Sequence, residues 1–177
     1  MRKLTMSELG RKSVSQFKES KKIPLIIILD NVRSAHNVGS VFRTADSFSA
    51  EAVYLCGITA QPPQREILKT ALGASDTVQW KYFQNTIDVI VDLKAKDFKI
   101  ISIEQTTESI MLNEFIPSPN EKYAIVFGNE VSGVDEVVVK ASDFSIEIPQ
   151  SGTKHSLNIS VCAGIVVWDF FNKIKLI

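Results

Sequence analysis

The sequence predicts an α/β domain with a mainly parallel sheet and helices on both faces. Three observations carry that expectation. Short runs rich in β-branched and aromatic residues alternate with longer helical runs along most of the 177 residues. The run Ile26-Ile27-Ile28-Leu29 is apolar without alternation, as a central strand buried on both sides must be. Polar, glycine-containing loops also follow several of the strand runs, where ligands sit in open α/β sheets.

Taken in order, strands are predicted at Leu25–Asp30, Ala52–Cys56, Val78–Phe83, Phe98–Ile103, Tyr123–Phe127 and Phe144–Ile148. Helices are predicted at Val38–Phe48, Arg65–Leu72, Thr86–Lys96, Val134–Ser142 and Leu157–Lys173. Residues 111–121 carry Pro117, Ser118, Pro119 and Asn120 and are expected to form a loop inside the domain. Ahead of the first strand, Ser13-Val14-Ser15-Gln16 fits a capping box, with Leu9, Val14 and Phe17 available to dock that segment. The final helix is apolar on several faces, so it is expected deep in the core or shared with a second subunit.

Composition bounds the function. Hydrophobic residues make up 45% and charged residues 23%, ordinary for a soluble globular domain. Cys56 and Cys162 form no CxxC pair and lie in apolar runs, so buried free thiols in a reducing cytoplasm are expected. With two histidines and no cysteine cluster, no metal site is expected. The N-terminus lacks a signal-peptide core, and the apolar run from Val161 to Trp168 is too short to span a bilayer, so a cytoplasmic protein without a membrane partner is expected. Net charge is zero, but residues 1–22 hold seven basic side chains against two acidic ones. The division expected is a basic arm over 1–22 and the folded domain over 23–177.

Three polar loops carry the candidate chemistry. In the first, Asn37 precedes a helical run and is positioned to cap Val38, Gly39 and Ser40. Gly39 there would allow close approach of a ligand backbone, and Arg43, one turn on, would grip a phosphate. In the second, Phe127-Gly128-Asn129-Glu130 ends a strand, and Glu130 could accept from a ribose hydroxyl or orient Arg43. Ser132 or Asp135 would cap the helix that follows. The third runs from Ile148 to Asn158 and holds Gln150, Ser151, Thr153, Lys154 and His155, with Ser156 and Asn158 at a helix mouth. Ser156 lacks a Gly-x-Ser-x-Gly elbow, which argues against a hydrolase. No Gly-x-Gly-x-x-Gly follows the first strand, which argues against a Rossmann-type dinucleotide enzyme. His36 and His155 flank two of the loops and read as solvated.

The succession Asn-x-Gly-x-x-x-Arg, Gly-Asn-Glu-x-x-Gly and Ile-Pro-x-x-Gly-x-x-x-Ser-Leu-Asn resembles the three signature motifs of the SpoU/TrmH family of RNA ribose 2′-O-methyltransferases, from about Leu25 to Phe171. Ile103-Glu104-Gln105-Thr106 and Trp168-Asp169-Phe170 resemble the branch that modifies tRNA. The resemblance implies a C-terminal deep trefoil knot, a homodimer, and S-adenosylmethionine as cofactor. It implies catalytic roles for Asn37, Arg43, Glu130, Ser156 and Asn158. It implies cofactor contacts at Ile103, Glu104, Phe127, Gly128, Asn129, Ile148, Gln150, Ser156 and Leu157. The RNA partner it implies is tRNA, with guanosine in the D-loop one candidate; rRNA 2′-O-methylation and a catalytically silent RNA-binding relative are the alternatives. The chain stops at Ile177, soon after the last helix, so the basic arm is expected to be what enlarges the RNA footprint.

Overall fold

The computed structural model of the protein describes residues 1–5 and 7–176, the side chains of 175 and 176 excepted. Seven strands form one sheet: β1 (Ile23–Asp30), β2 (Ala50–Cys56), β3 (Gln79–Phe83), β4 (Phe98–Ile103), β5 (Ile110–Met111), β6 (Lys122–Phe127) and β7 (Phe144–Glu147). Their order is β3-β2-β1-β6-β4-β7-β5, and every pairing is parallel. Helices α1 (Val14–Glu19), α2 (Ala35–Ser47), α3 (Arg65–Ala71), α4 (Ala74–Thr77), α5 (Thr86–Lys94), α6 (Glu136–Ala141) and α7 (Ile159–Leu176) complete the chain.

The alternation of side chains along β1 divides the core between the two faces. Leu25, Ile27 and Leu29 join Val38, Val41 and Phe42 of α2, Ile67 of α3, and Ala163, Val166, Val167 and Phe170 of α7. Ile26 and Ile28 join Val89, Ile90 and Leu93 of α5 with Val138 of α6. The unbroken apolar run in the sequence is therefore a strand with no solvent face.

Several details differ from expectation. The loop expected over 111–121 starts one residue later, because Met111, with Ile110, pairs with Glu147 and Ile146 as the sheet edge. Two residues are too few to carry a periodic signal. The short α4 was not anticipated, because it is a single turn entered through Gly73 at φ +88. In the N-terminal segment the capping box forms, with Ser13 accepting from Gln16 N and Gln16 reaching back to Ser13 N. Only Phe17 docks; Leu9 and Val14 stay exposed. Phe17 is secured by Lys22, whose ammonium lies 3.3 Å from the ring centroid.

Helix α7 packs beneath the connection that runs from β4 to β6. Phe170 stacks on Phe115 at 5.5 Å and meets Tyr123 edge-on at 5.6 Å. Lys173 Nζ donates to the carbonyls of Leu112 (2.7 Å) and Phe115 (2.8 Å) and pairs with Asp169 at 2.7 Å. No helix among the described residues is long and apolar enough to cross a membrane.

Candidate active site

Three parallel strands, β4, β6 and β7, end on the same side of the sheet, and the loops beyond them enclose a cavity of about 900 Å3. Apolar walls come from Ile103, Phe127, Ile148 and Leu157, and polar ones from Glu104, Asn129, Gln150 and Ser156. Gly128 completes the set, so all nine residues implied as cofactor contacts line one concavity. Gln105 and His155 line it as well, as do Glu136 and Glu147, which the sequence does not single out.

Gly128 and Gly133 are required by this geometry. A Cβ on Gly128 would lie 2.1 Å from both Gly133 C and Val134 N, so the 128–134 loop closes only without one. Gly133 has φ +71, and a Cβ there would meet the Glu104 carboxylate. That carboxylate accepts from Val134 N (3.0 Å) and Gln105 N (2.9 Å), joining the ends of β4 and β6. Asn129 serves the same wall: its Nδ2 donates to the Asn31 carbonyl at 2.8 Å, and its Oδ1 accepts from Val131 N and Ser132 N. On the opposite lip, Gln105 Nε2 donates to the His155 carbonyl at 3.0 Å. The helix beyond the loop is capped by Asp135, not Ser132.

Glu130 is a junction. Its carboxylate accepts from Arg33 N (2.9 Å), Ser34 N (3.0 Å) and Asn37 Nδ2 (2.9 Å). Asn37 Oδ1 in turn accepts from Asn158 Nδ2 at 3.3 Å, and Asn158 Oδ1 accepts from Ser160 N at the start of α7. Three distant segments thus meet in one directed hydrogen-bond chain at the cavity mouth. Burial pushes the Glu130 carboxyl up, but the bonds from Arg33, Asn37 and Ser34 outweigh it and leave it below its ordinary value. Glu130 is held as an acceptor, which suits a tether and not a proton donor.

Two expectations about this region are corrected. Asn37 is not the helix cap: α2 starts at Ala35, and Ser34 accepts from Asn37 N. Its side chain is thereby freed for Glu130. Gly39 faces a helix and not a ligand; a Cβ there would lie 2.1 Å from Thr70 Oγ1 and 2.4 Å from the Ile67 carbonyl of α3. Thr70 Oγ1 donates to the His36 carbonyl at 3.0 Å across the same contact. His36 itself is exposed in the first turn of α2.

Arg43 stands apart. It is exposed and lines a second depression with Lys69 and Thr70, between α2 and α3. Its guanidinium contacts neither Asn37 nor Glu130, which are bonded to one another, to the Asn158 side chain and to the Arg33 and Ser34 amides. The expectation that these two orient Arg43 does not hold in this chain alone.

Asp30, at the end of β1, is the buried polar anchor the sequence reading passed over. It is 2% exposed and accepts from Thr86 Oγ1, Asn31 Nδ2 (3.0 Å) and Asp135 N (3.1 Å). A carboxylate directly after five apolar residues is the available signal. Both cysteines are free; Cys162 lines the cavity, and burial, with the Glu104 charge second, pushes its thiol up to about 12. A thiol held that way is not a nucleophile at neutral pH. Among the described residues no group of three or more His, Cys, Asp or Glu side chains could hold a metal ion.

Residues 24–168 match the model of the SpoU rRNA Methylase family. The chain belongs to that family. Among SpoU relatives, the 23S rRNA (guanosine-2′-O-)-methyltransferase RlmB of Neisseria meningitidis serogroup B is 32% identical over 144 residues. The match covers 81% of this chain, which spans 56% of the relative's length. The A. aeolicus TrmH/SpoU tRNA modifying enzyme superposes with a TM-score of 0.81 at 26% identity, covering 92% of this chain and 81% of that one. An AdoMet-bound rRNA methyltransferase from Sinorhizobium meliloti shares the fold, with a TM-score of 0.76 at 23% identity over 90% of this chain and 60% of its own.

Proposed function

We propose that the protein transfers a methyl group from S-adenosylmethionine to a ribose 2′-oxygen of RNA, with tRNA the favoured substrate and rRNA the alternative. The observation that carries this reading is the Glu130–Asn37–Asn158 chain at the mouth of the cavity. It joins all three motifs at one point, beside the apolar walls that suit a purine.

The cavity fits the donor. Ile103, Phe127, Ile148 and Leu157 offer an apolar slot, and the strand-end loops offer backbone groups to a base edge. Glu104, Glu130, Glu136 and Glu147 surround it with negative charge, which favours a cation. When bound, S-adenosylmethionine supplies an electrophilic methyl on a positively charged sulfur. With the donor in place, the ribose oxygen would take the methyl as the S–CH3 bond broke, and its proton would pass to a phosphate oxygen or water. Glu130 fixes the entrance to α2 and holds Asn37; Asn37 holds Asn158; Ser156, whose hydroxyl has no partner among the described residues, remains available to the RNA. Arg43 serves as a phosphate clamp, its planar fork matching two phosphate oxygens.

The same reading takes the working unit as a homodimer. Val161, Ile165 and Trp168 lie at i, i+4 and i+7 on the outer face of α7 and are 51%, 37% and 53% exposed, an apolar stripe that a second copy would cover. It also takes α7 as threaded through the 104–121 connection to form the trefoil knot, for which the grip of Lys173 and Phe170 on residues 112–115 is the support.

The test is incubation with labelled S-adenosylmethionine and unmodified tRNA or rRNA in separate reactions. Transfer to one class names the substrate. Donor binding with no transfer to either would overturn the enzymatic reading in favour of a silent RNA-binding relative.

A further inference from the structure

The two concavities have opposite charge. The main cavity is lined by four glutamates and by no lysine or arginine. The depression between α2 and α3, about 450 Å3, is lined by Arg43 and Lys69 and by no carboxylate. An anionic RNA backbone is repelled by the first and drawn to the second. Neither cation has a side-chain hydrogen bond or ion pair among the described residues. The hydroxyls around them are mostly spent: Ser40 and Thr70 donate to the His36 carbonyl and Ser47 to the Arg43 carbonyl. Thr44, Arg43 and Lys69 are left to donate. The helices that carry them are held together, because Gly39 lets α3 rest directly on α2. Arg43 lies six residues beyond Asn37 on one helix, about 9 Å along its axis.

We propose that this groove seats an RNA backbone phosphate beside the target ribose, with Lys69 as the second cation of the seat. The inference rests on the RNA methyl transfer proposed above and adds a residue outside its three motifs. Arg43 supplies a planar fork and Lys69 a mobile point charge from the facing helix, so one phosphate is held from two sides.

The experiment measures binding of unfractionated tRNA, and of rRNA in a second arm, at several salt concentrations. The proteins compared are wild type, Lys69→Gln, Lys69→Arg and Lys96→Gln; Lys96 lies before β4, at the opposite end of the sheet, and is paired with Asp92. Lys69→Gln is expected to flatten the slope of log K against log salt by about 0.7 to 0.9. It is expected to raise KM several-fold while leaving kcat and S-adenosylmethionine affinity near wild type, and Lys69→Arg is expected to restore the slope. Lys96→Gln is expected to keep the wild-type slope. A wild-type slope in Lys69→Gln, in a protein that still methylates the RNA, overturns the groove and leaves the functional reading intact. Failure of wild type to bind or methylate either RNA overturns both.

Discussion

Replacing Glu130 by alanine tests the junction on which the site depends. Three donors converge on its carboxylate at 2.9, 3.0 and 2.9 Å, two of them backbone amides at the entry to α2. A hydrogen bond to a charged group contributes about 1.5–3 kcal/mol net. Glu130 is exposed, so water replaces much of what alanine removes, and the whole cluster is discounted to about 2 kcal/mol. For a chain of this size each kcal/mol moves Tm by about 2–4 °C, so Glu130→Ala should melt about 4–8 °C lower at neutral pH. The sign with pH follows from the lowered carboxyl. Its contribution is full above the ordinary value of 4.5 and is lost as pH falls through the lower folded value. The gap between wild type and variant should therefore be widest near neutrality and close in acid. Glu130→Gln should fall between, since one amide oxygen cannot serve three donors. Thermal melts at a series of pH values decide the matter. Equal Tm at neutral pH, or a gap unchanged in acid, would refute the reasoning.

Gly39→Ala should cost about 1–3 kcal/mol in denaturant unfolding, because the new methyl meets the Ile67 carbonyl and cannot be relieved by a rotamer change. Gly128→Ala meets backbone on all three of its near contacts, so calorimetry should show S-adenosylmethionine binding abolished. Lys173→Met removes an ion pair and leaves the Leu112 and Phe115 carbonyls without their donor; a loss of about 1–3 kcal/mol is expected on chemical unfolding. Trp168→Asp, on the exposed stripe of α7, should shift sedimentation from dimer to monomer with the fold retained by circular dichroism.

Local signals carried the sheet well and the site unevenly. The run from Leu25 to Leu29 identified a strand buried on both faces because burial on both faces leaves no polar alternation. The loops after β6 and β7 were legible because glycine and polar residues followed apolar runs, and they share one cavity with the loop after β4, which only the family resemblance singled out. What failed depends on distant partners. Asn37 looked like a cap because its real partner, Glu130, is 93 residues away, while Ser34 was closer to the helix start. Gly39 looked like a ligand position because nothing local reveals that Thr70 rests on it. Lys69 carried no signal, being one lysine on a short helix until α2 places Arg43 across from it. The strand at residues 110–111 is made by its neighbour β7, not by its own sequence.

The most direct test of the central claim is the position of the transferred methyl. RNA labelled by the protein from S-adenosylmethionine should be digested in alkali and the products separated by charge. A 2′-O-methyl group removes the hydroxyl that alkali needs, so the label should appear in a resistant dinucleotide and should vanish with Asn37→Ala. Label recovered in mononucleotides would mean a methylated base and would contradict the account.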